Sequence, residues 1–168
     1  IGLITDTGSF KYSSVSSSTH LIASKLKEIG LNHVAIHNNI FDQNSVSKIN
    51  LLGYALQKIK LDPNTSLAYL VLSKEELEKF NFQKGDSEGF VNYCLSIKGV
   101  KNAVFLREDK SLIKISLRSK GDVKMNEFSQ KYYGGGGHQN AAGAAVESND
   151  IDIVTKTLIE NFRSFCSV

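Results

Sequence analysis

The stretch KYYGGGGHQNAAGAAV, Lys131 to Val146, places four consecutive glycines before one histidine and a run of small residues. Ordering four glycines gives up a great deal of backbone entropy, so an ordered stretch of this kind needs a compensating gain. A glycine-rich loop can aim several backbone N–H groups at one anion, because no Cβ blocks the approach. His138 can add a hydrogen bond or a charge, and Ala141, Ala142, Gly143, Ala144 and Ala145 keep the following strand thin enough for a bulky group to lie close. A flexible connection with an incidental histidine is the other reading of the same residues. The stretch is not a Walker A loop, since the Gly-Lys-Ser/Thr ending is missing.

The neighbouring segments give the glycines a setting. A helix through Met125, Phe128 and Tyr132 runs into them, with Gly134 as its natural C′ residue, and Ala141 to Val146 reads as a strand. Upstream, Asn102–Arg107 and Ser111–Ser119 read as two strands joined by a tight turn at Glu108-Asp109-Lys110. In the second of them Ile113, Ile115 and Leu117 point one way, and Lys114, Ser116 and Arg118 the other. Arginine suits bidentate contact with phosphate, although an ordinary solvated face has the same composition.

Leu67–Leu72 is a buried-strand candidate, Ser73 and Glu76 form a capping box, Gly85–Gly89 is a loop, and Phe90–Ile97 and Asp150–Phe165 read as helices. The order after Pro63 is therefore β-α-α-β-β-α-loop-β-α, which predicts an α/β fold: a mixed β-sheet backed by helices. The first third reads as mainly helical. Ser16–Thr19 offer caps for Leu21, Ile22, Leu26 and Ile29, and Asn44 and Ser45 for Val46, Ile49, Leu52, Leu56 and Ile59. Pro63 is expected to close that second helix, and Asp62–Thr65 to be the linker. Ile1–Ile4 reads as a strand, and its apolar opening without methionine suggests a fragment of a larger protein.

Composition sets bounds on function. The 168 residues are 41% hydrophobic and 22% charged with a net charge of +3, which is too small for a nucleic-acid coat or a membrane-binding surface but allows a local basic patch. Cys94 and Cys166 have no CxxC spacing, so neither a zinc site nor a disulfide framework is indicated, which fits a cytoplasmic setting. No apolar run approaches the ~18 residues of a membrane span. Asp6, in the stretch ITDTGSF, sits where either a divalent-metal ligand or a helix cap can lie.

Taken in order, GLITDTGSF, SLRS (Ser116–Ser119) and GGGGHQNAAGA (Gly134–Ala144) closely resemble the C-terminal part of the DHH-family phosphoesterases. The likeness is greatest to bifunctional oligoribonucleases that also dephosphorylate 3′-phosphoadenosine 5′-phosphate. It extends over SSTHLIASKL and EGFVNYCLSIKGV. The resemblance implies that residues 1–62 are a remnant of the catalytic domain with a linker helix, and 63–168 the associated substrate-binding domain. It implies two manganese ions in the full-length parent, with Asp6 the one metal position matched. No Asp-His-His occurs, since His20, His33, His37 and His138 stand apart, so no complete catalytic set is expected and the chain alone should be inactive. The implied substrate-binding residues are Arg118, Ser119, Gly135, Gly136, Gly137 and His138, with Asn140, Lys114 and Lys120 added by position. The expected ligands are short single-stranded RNA or nucleotide phosphates. A cyclic-dinucleotide phosphodiesterase and a non-catalytic nucleic-acid-binding module, as accompanies alanyl-tRNA synthetases, are the alternatives.

Overall fold

Every second residue of Leu112–Ser119 is buried, so Ile113, Ile115, Leu117 and Ser119 share one face and Lys114, Ser116 and Arg118 the other. This strand lies inside a six-stranded sheet. The computed structural model describes residues 2–12 and 15–167. Its strands are β1 (Lys60–Asp62), β2 (Leu67–Leu72), β3 (Asn102–Asp109), β4 (Leu112–Ser119), β5 (Gly136–His138) and β6 (Ala141–Glu147), in the spatial order β1-β2-β3-β4-β6-β5. Its helices are α1 (Gly2–Asp6), α2 (Ser17–Glu28), α3 (His33–Phe41), α4 (Val46–Gln57), α5 (Lys74–Lys79), α6 (Phe90–Ser96), α7 (Met125–Tyr133) and α8 (Ile151–Cys166). Only β2 and β3 run parallel, joined by a crossover through α5 and α6; the other neighbours are antiparallel. The mixed α/β sheet backed by helices is thus as the sequence predicts.

The sheet divides two apolar cores. On one face Val104, Leu106, Ile113, Ile115 and Leu117 meet Met125 and Phe128 of α7 and Leu158 and Phe162 of α8. The rings of Phe128 and Phe162 meet edge to face, their centroids 5.2 Å apart. On the other face Ala68, Leu70, Ala103 and Phe105 pack against Leu51 and Ala55 of α4, Leu77 of α5 and Phe90, Val91 and Cys94 of α6. Helices α4, α5 and α6 cover β2 and β3, and α6 reaches β4. Beyond it the same face of β6 and β5 is open, with Gly136, His138 and Ala145 exposed.

Chain contacts define two compact units, Ile1–Ser45 and Val46–Val168. In the first, Ser16 caps α2 in a capping box with Thr19, and the Phe10 ring stacks on His20 at 5.0 Å. The second holds both cores and the sheet. Its edge differs from the 62/63 division read from sequence, because Leu51 and Ala55 of α4 are fully buried in the second core.

Four elements differ from expectation. Gly2–Asp6 is a helix rather than a strand: the Thr7 hydroxyl donates back to the Leu3 carbonyl at 2.5 Å, and Gly8, Ser9 and Phe10 turn the chain with φ of 55°, 56° and 67°. Ile1 lies outside the described residues. Helix α4 ends at Gln57, ahead of Pro63. Asp62–Thr65 is a hairpin corner rather than a linker, since Lys60 pairs with Tyr69 and Asp62 with Leu67. Gly136–His138 is a strand paired with β6 rather than a loop.

Candidate functional site

The register of β4, β6 and β5 sets the chemistry. Arg118 stands opposite Ala141, and Ala141 opposite His138. The next row of that face is Ser116, Gly143 and Gly136, and the third holds Lys114 and Ala145. Directly opposed residues share a face. Arg118 and His138 therefore rise from strands two apart, about 10 Å between backbones, over a floor of Ala141, Gly143 and Gly136. This is an open shelf with a cation on one side, an imidazole on the other and no bulk between. Arg118 Nη1 donates to the Leu117 carbonyl at 2.9 Å, and among the described residues no carboxylate pairs with its guanidinium.

Three of the four glycines are required by the fold, each for a different reason. Gly134 ends α7 with φ 61°, a left-handed cap. A Cβ on Gly135 would lie 2.3 Å from the Gly143 carbonyl oxygen and from Ser129 Oγ. Gly137 has φ 143°, and a Cβ there would come within 2.4 Å of the Ala141 oxygen. Gly136 is different: its φ lies outside the left-handed region and a Cβ would meet nothing within 4 Å. The fold gives no reason for glycine there, and the space above it belongs to the shelf.

Ser119 and Asn140 serve the frame of the site. Ser119 is buried and its Oγ donates to the Val123 carbonyl at 2.8 Å, while Asn140 Nδ2 donates to Ser119 Oγ and to the Gly121 carbonyl, each at 2.9 Å. Those bonds tie the loop after β4 to the β5–β6 turn and hold Arg118 and His138 in one row. Ser129 Oγ donates to the Gly143 carbonyl at 2.9 Å and fixes α7 to β6. At the far end of the shelf Lys114 pairs with Asp109 at 2.5 Å. The Lys114 hydrogen bond holds the Asp109 carboxyl below the usual carboxylate range, against the effect of burial. Lys120 Nζ donates to the Leu95 carbonyl.

Asp6 is exposed at the end of α1, accepting from Thr5 Oγ1 at 3.2 Å. Among the described residues no three His, Cys, Asp or Glu side chains come together in an arrangement able to hold a metal ion. The sequence reading missed Gly143 as a site residue. It becomes visible once Gly136–His138 is recognised as a strand, because Gly143 then faces Gly136 across the ladder.

A helix ending in a glycine cap, a glycine hairpin and a thin strand lie beside the strand that carries Arg118. The chain belongs to the DHHA1 domain family, which it matches over residues 64–164. It is 30% identical over 149 residues to the bifunctional oligoribonuclease and PAP phosphatase NrnA of Bacillus subtilis, covering 89% of this chain and 46% of that protein. It is 30% identical over 164 residues to the probable NrnA of Streptococcus mutans, covering 95% and 52%. Among solved structures, an exopolyphosphatase-related protein from Bacteroides fragilis superposes with a TM-score of 0.90 at 38% identity, covering 99% of this chain and 49% of that one. The pGpG-specific phosphodiesterase PggH of Vibrio cholerae shares the fold at 18% identity, with a TM-score of 0.53 and coverage of 90% and 52%. The chain spans about half the length of the curated relatives it matches. No helix among the described residues is long and apolar enough to cross a membrane.

Proposed function

We propose that this chain is the substrate-binding part of a manganese-dependent phosphoesterase acting on very short RNA oligonucleotides and on 3′-phosphoadenosine 5′-phosphate. The observation that supports the reading most is the row Arg118–Ala141–His138 above Gly136, a glycine with no structural need to be one. The printed names of the two NrnA relatives support the substrate class. In this reading residues 1–62 derive from the catalytic domain and 63–168 bind substrate, with α4 packed against the latter. The protein is cytoplasmic, its two cysteines reduced.

The chain's own part in the reaction is to bind and orient. The Arg118 fork takes a phosphate through two N–H groups. His138 approaches the same phosphate from β5 as a hydrogen-bond partner, and the backbone at Gly136 and Gly137 allows close approach of the ligand. Fixing the phosphate in this way supplies the positional share of a rate enhancement. The described residues do not make a metal site: Asp6 offers one carboxylate, and two dications need many more ligands. In this reading the manganese ions are held in the full-length protein, with Asp6 contributing one ligand.

Titration calorimetry of the chain with 3′-phosphoadenosine 5′-phosphate tests the assignment. Arg118→Ala should raise Kd by about tenfold or more, the scale of hydrogen bonds to charged groups, with the melting curve unchanged. An unaltered Kd in the folded variant would leave the shelf without this ligand.

A further inference from the structure

We propose that Lys120 is a second phosphate-binding residue of the shelf, so that the site selects ligands bearing two phosphoryl groups over ligands bearing one. The proposal rests on the reading of the shelf as a nucleotide site. Its origin is the position of Lys120 at the end of β4. Lys114, Ser116 and Arg118 occupy the open face of β4, and Ser119 is buried on the other. The next residue, Lys120, lies just past the end of β4, and its Nζ reaches α6 on the side of Arg118. Two residues of chain span at most about 7 Å, a spacing suited to two phosphates carried on one ribose.

The ammonium of Lys120 is held in place but keeps its charge. Nζ donates to the carbonyl of Leu95 in the last turn of α6, the helix that packs over β3 and β4 on this same face. A carbonyl at a helix C-terminus favours a cation. The backbone is fixed as well, since Lys120 N–H donates to the Lys101 carbonyl at 2.7 Å. A lysine has three N–H donors; Leu95 takes one and two remain for a ligand. Three lysines of the domain are paired with carboxylates, Lys58 with Glu76, Lys114 with Asp109 and Lys124 with Glu127. Among the described residues no carboxylate lies within ion-pair distance of Lys120. Arg118 and Lys120 are thus neighbouring uncompensated cations, one at the row facing His138 and one at the rim beside α6.

The test compares 3′-phosphoadenosine 5′-phosphate with adenosine 5′-monophosphate and adenosine 3′-monophosphate, titrated into the 168-residue chain, its Lys120→Met variant and its Lys120→Arg variant. The wild type should bind the bisphosphate about tenfold more tightly than either monophosphate. Lys120→Met should remove that advantage, leave the monophosphate affinities within about twofold, and reduce the salt slope for the bisphosphate by about one. Lys120→Arg should restore most of the preference. Equal wild-type affinity for all three ligands would overturn the proposal while leaving the shelf assignment standing. So would an equal loss for all three in Lys120→Met with a lowered melting temperature, which would make Lys120 a strut for α6. Binding of none of the three by the wild type would remove the shelf assignment itself, and Lys120 with it.

Discussion

Gly135 and Gly136 are adjacent, chemically identical and held for opposite reasons. An added methyl on Gly135 meets the Gly143 carbonyl and Ser129 Oγ, both of which belong to the α7–β6 contact. Gly135→Ala should therefore destabilise the domain by about 1–3 kcal/mol, the usual range for overpacking, and differential scanning calorimetry would show it. Gly136 sits in a strand with empty space above it, and valine is favoured in strands. Gly136→Val should change the melting temperature by less than about 2 °C while weakening the binding of 3′-phosphoadenosine 5′-phosphate. Undiminished binding by that variant would show that the ligand does not use the space above Gly136. The sequence alone presents these residues as four equal letters. What separates them is the distance to β6, which appears only when the hairpin is formed.

Among the elements, those with side-chain signals were legible in the sequence. The strand Leu67–Leu72 and the Ser73–Glu76 capping box stand where the residues predict them, because apolar runs and caps are local properties. The strands β1 and β5 were not legible. Lys60-Leu61-Asp62 is too short to show a period, and Gly136-Gly137-His138 has almost no side chains to show one; each is defined by its pairing partner. Helix α1 is likewise too short for a helical period to appear. The edge strand β1 is anchored from a distance: Arg163 of α8 donates Nε and Nη2 to Asp62 at 3.1 and 2.9 Å, and the Asp62 side chain is 3% exposed. Hydrogen bonds from Arg163 hold the Asp62 carboxyl below its ordinary value, although burial acts to raise it. A lowered carboxyl gives stability that is complete above the unfolded value, ~4, and is lost as pH falls through the folded one. Arg163→Leu should accordingly lower the melting temperature by several degrees at neutral pH. The gap to wild type should narrow below about pH 4. A gap independent of pH would assign the effect to lost packing along α8 rather than to the ion pair.

At the largest scale, helices lie on both faces of the sheet in the Val46–Val168 unit, and on one face α4, α5 and α6 stop short of β6 and β5. The half left open carries the shelf. Arginine and histidine were visible in the sequence as candidate ligand-binding residues, but their meeting across Ala141 depends on the register of β5, so the site could be inventoried from sequence and not assembled. The same layering separates the two thiols. Cys94 is fully buried against β3, and burial pushes its thiol up to about 11, whereas Cys166 at the end of α8 is exposed. A maleimide dye should therefore add once to the native chain, at Cys166, and twice only in denaturant, as intact mass would record. A single dye at that position, emitting at wavelengths where the tyrosines do not, would give the domain an optical reporter on the far side of the sheet from the shelf.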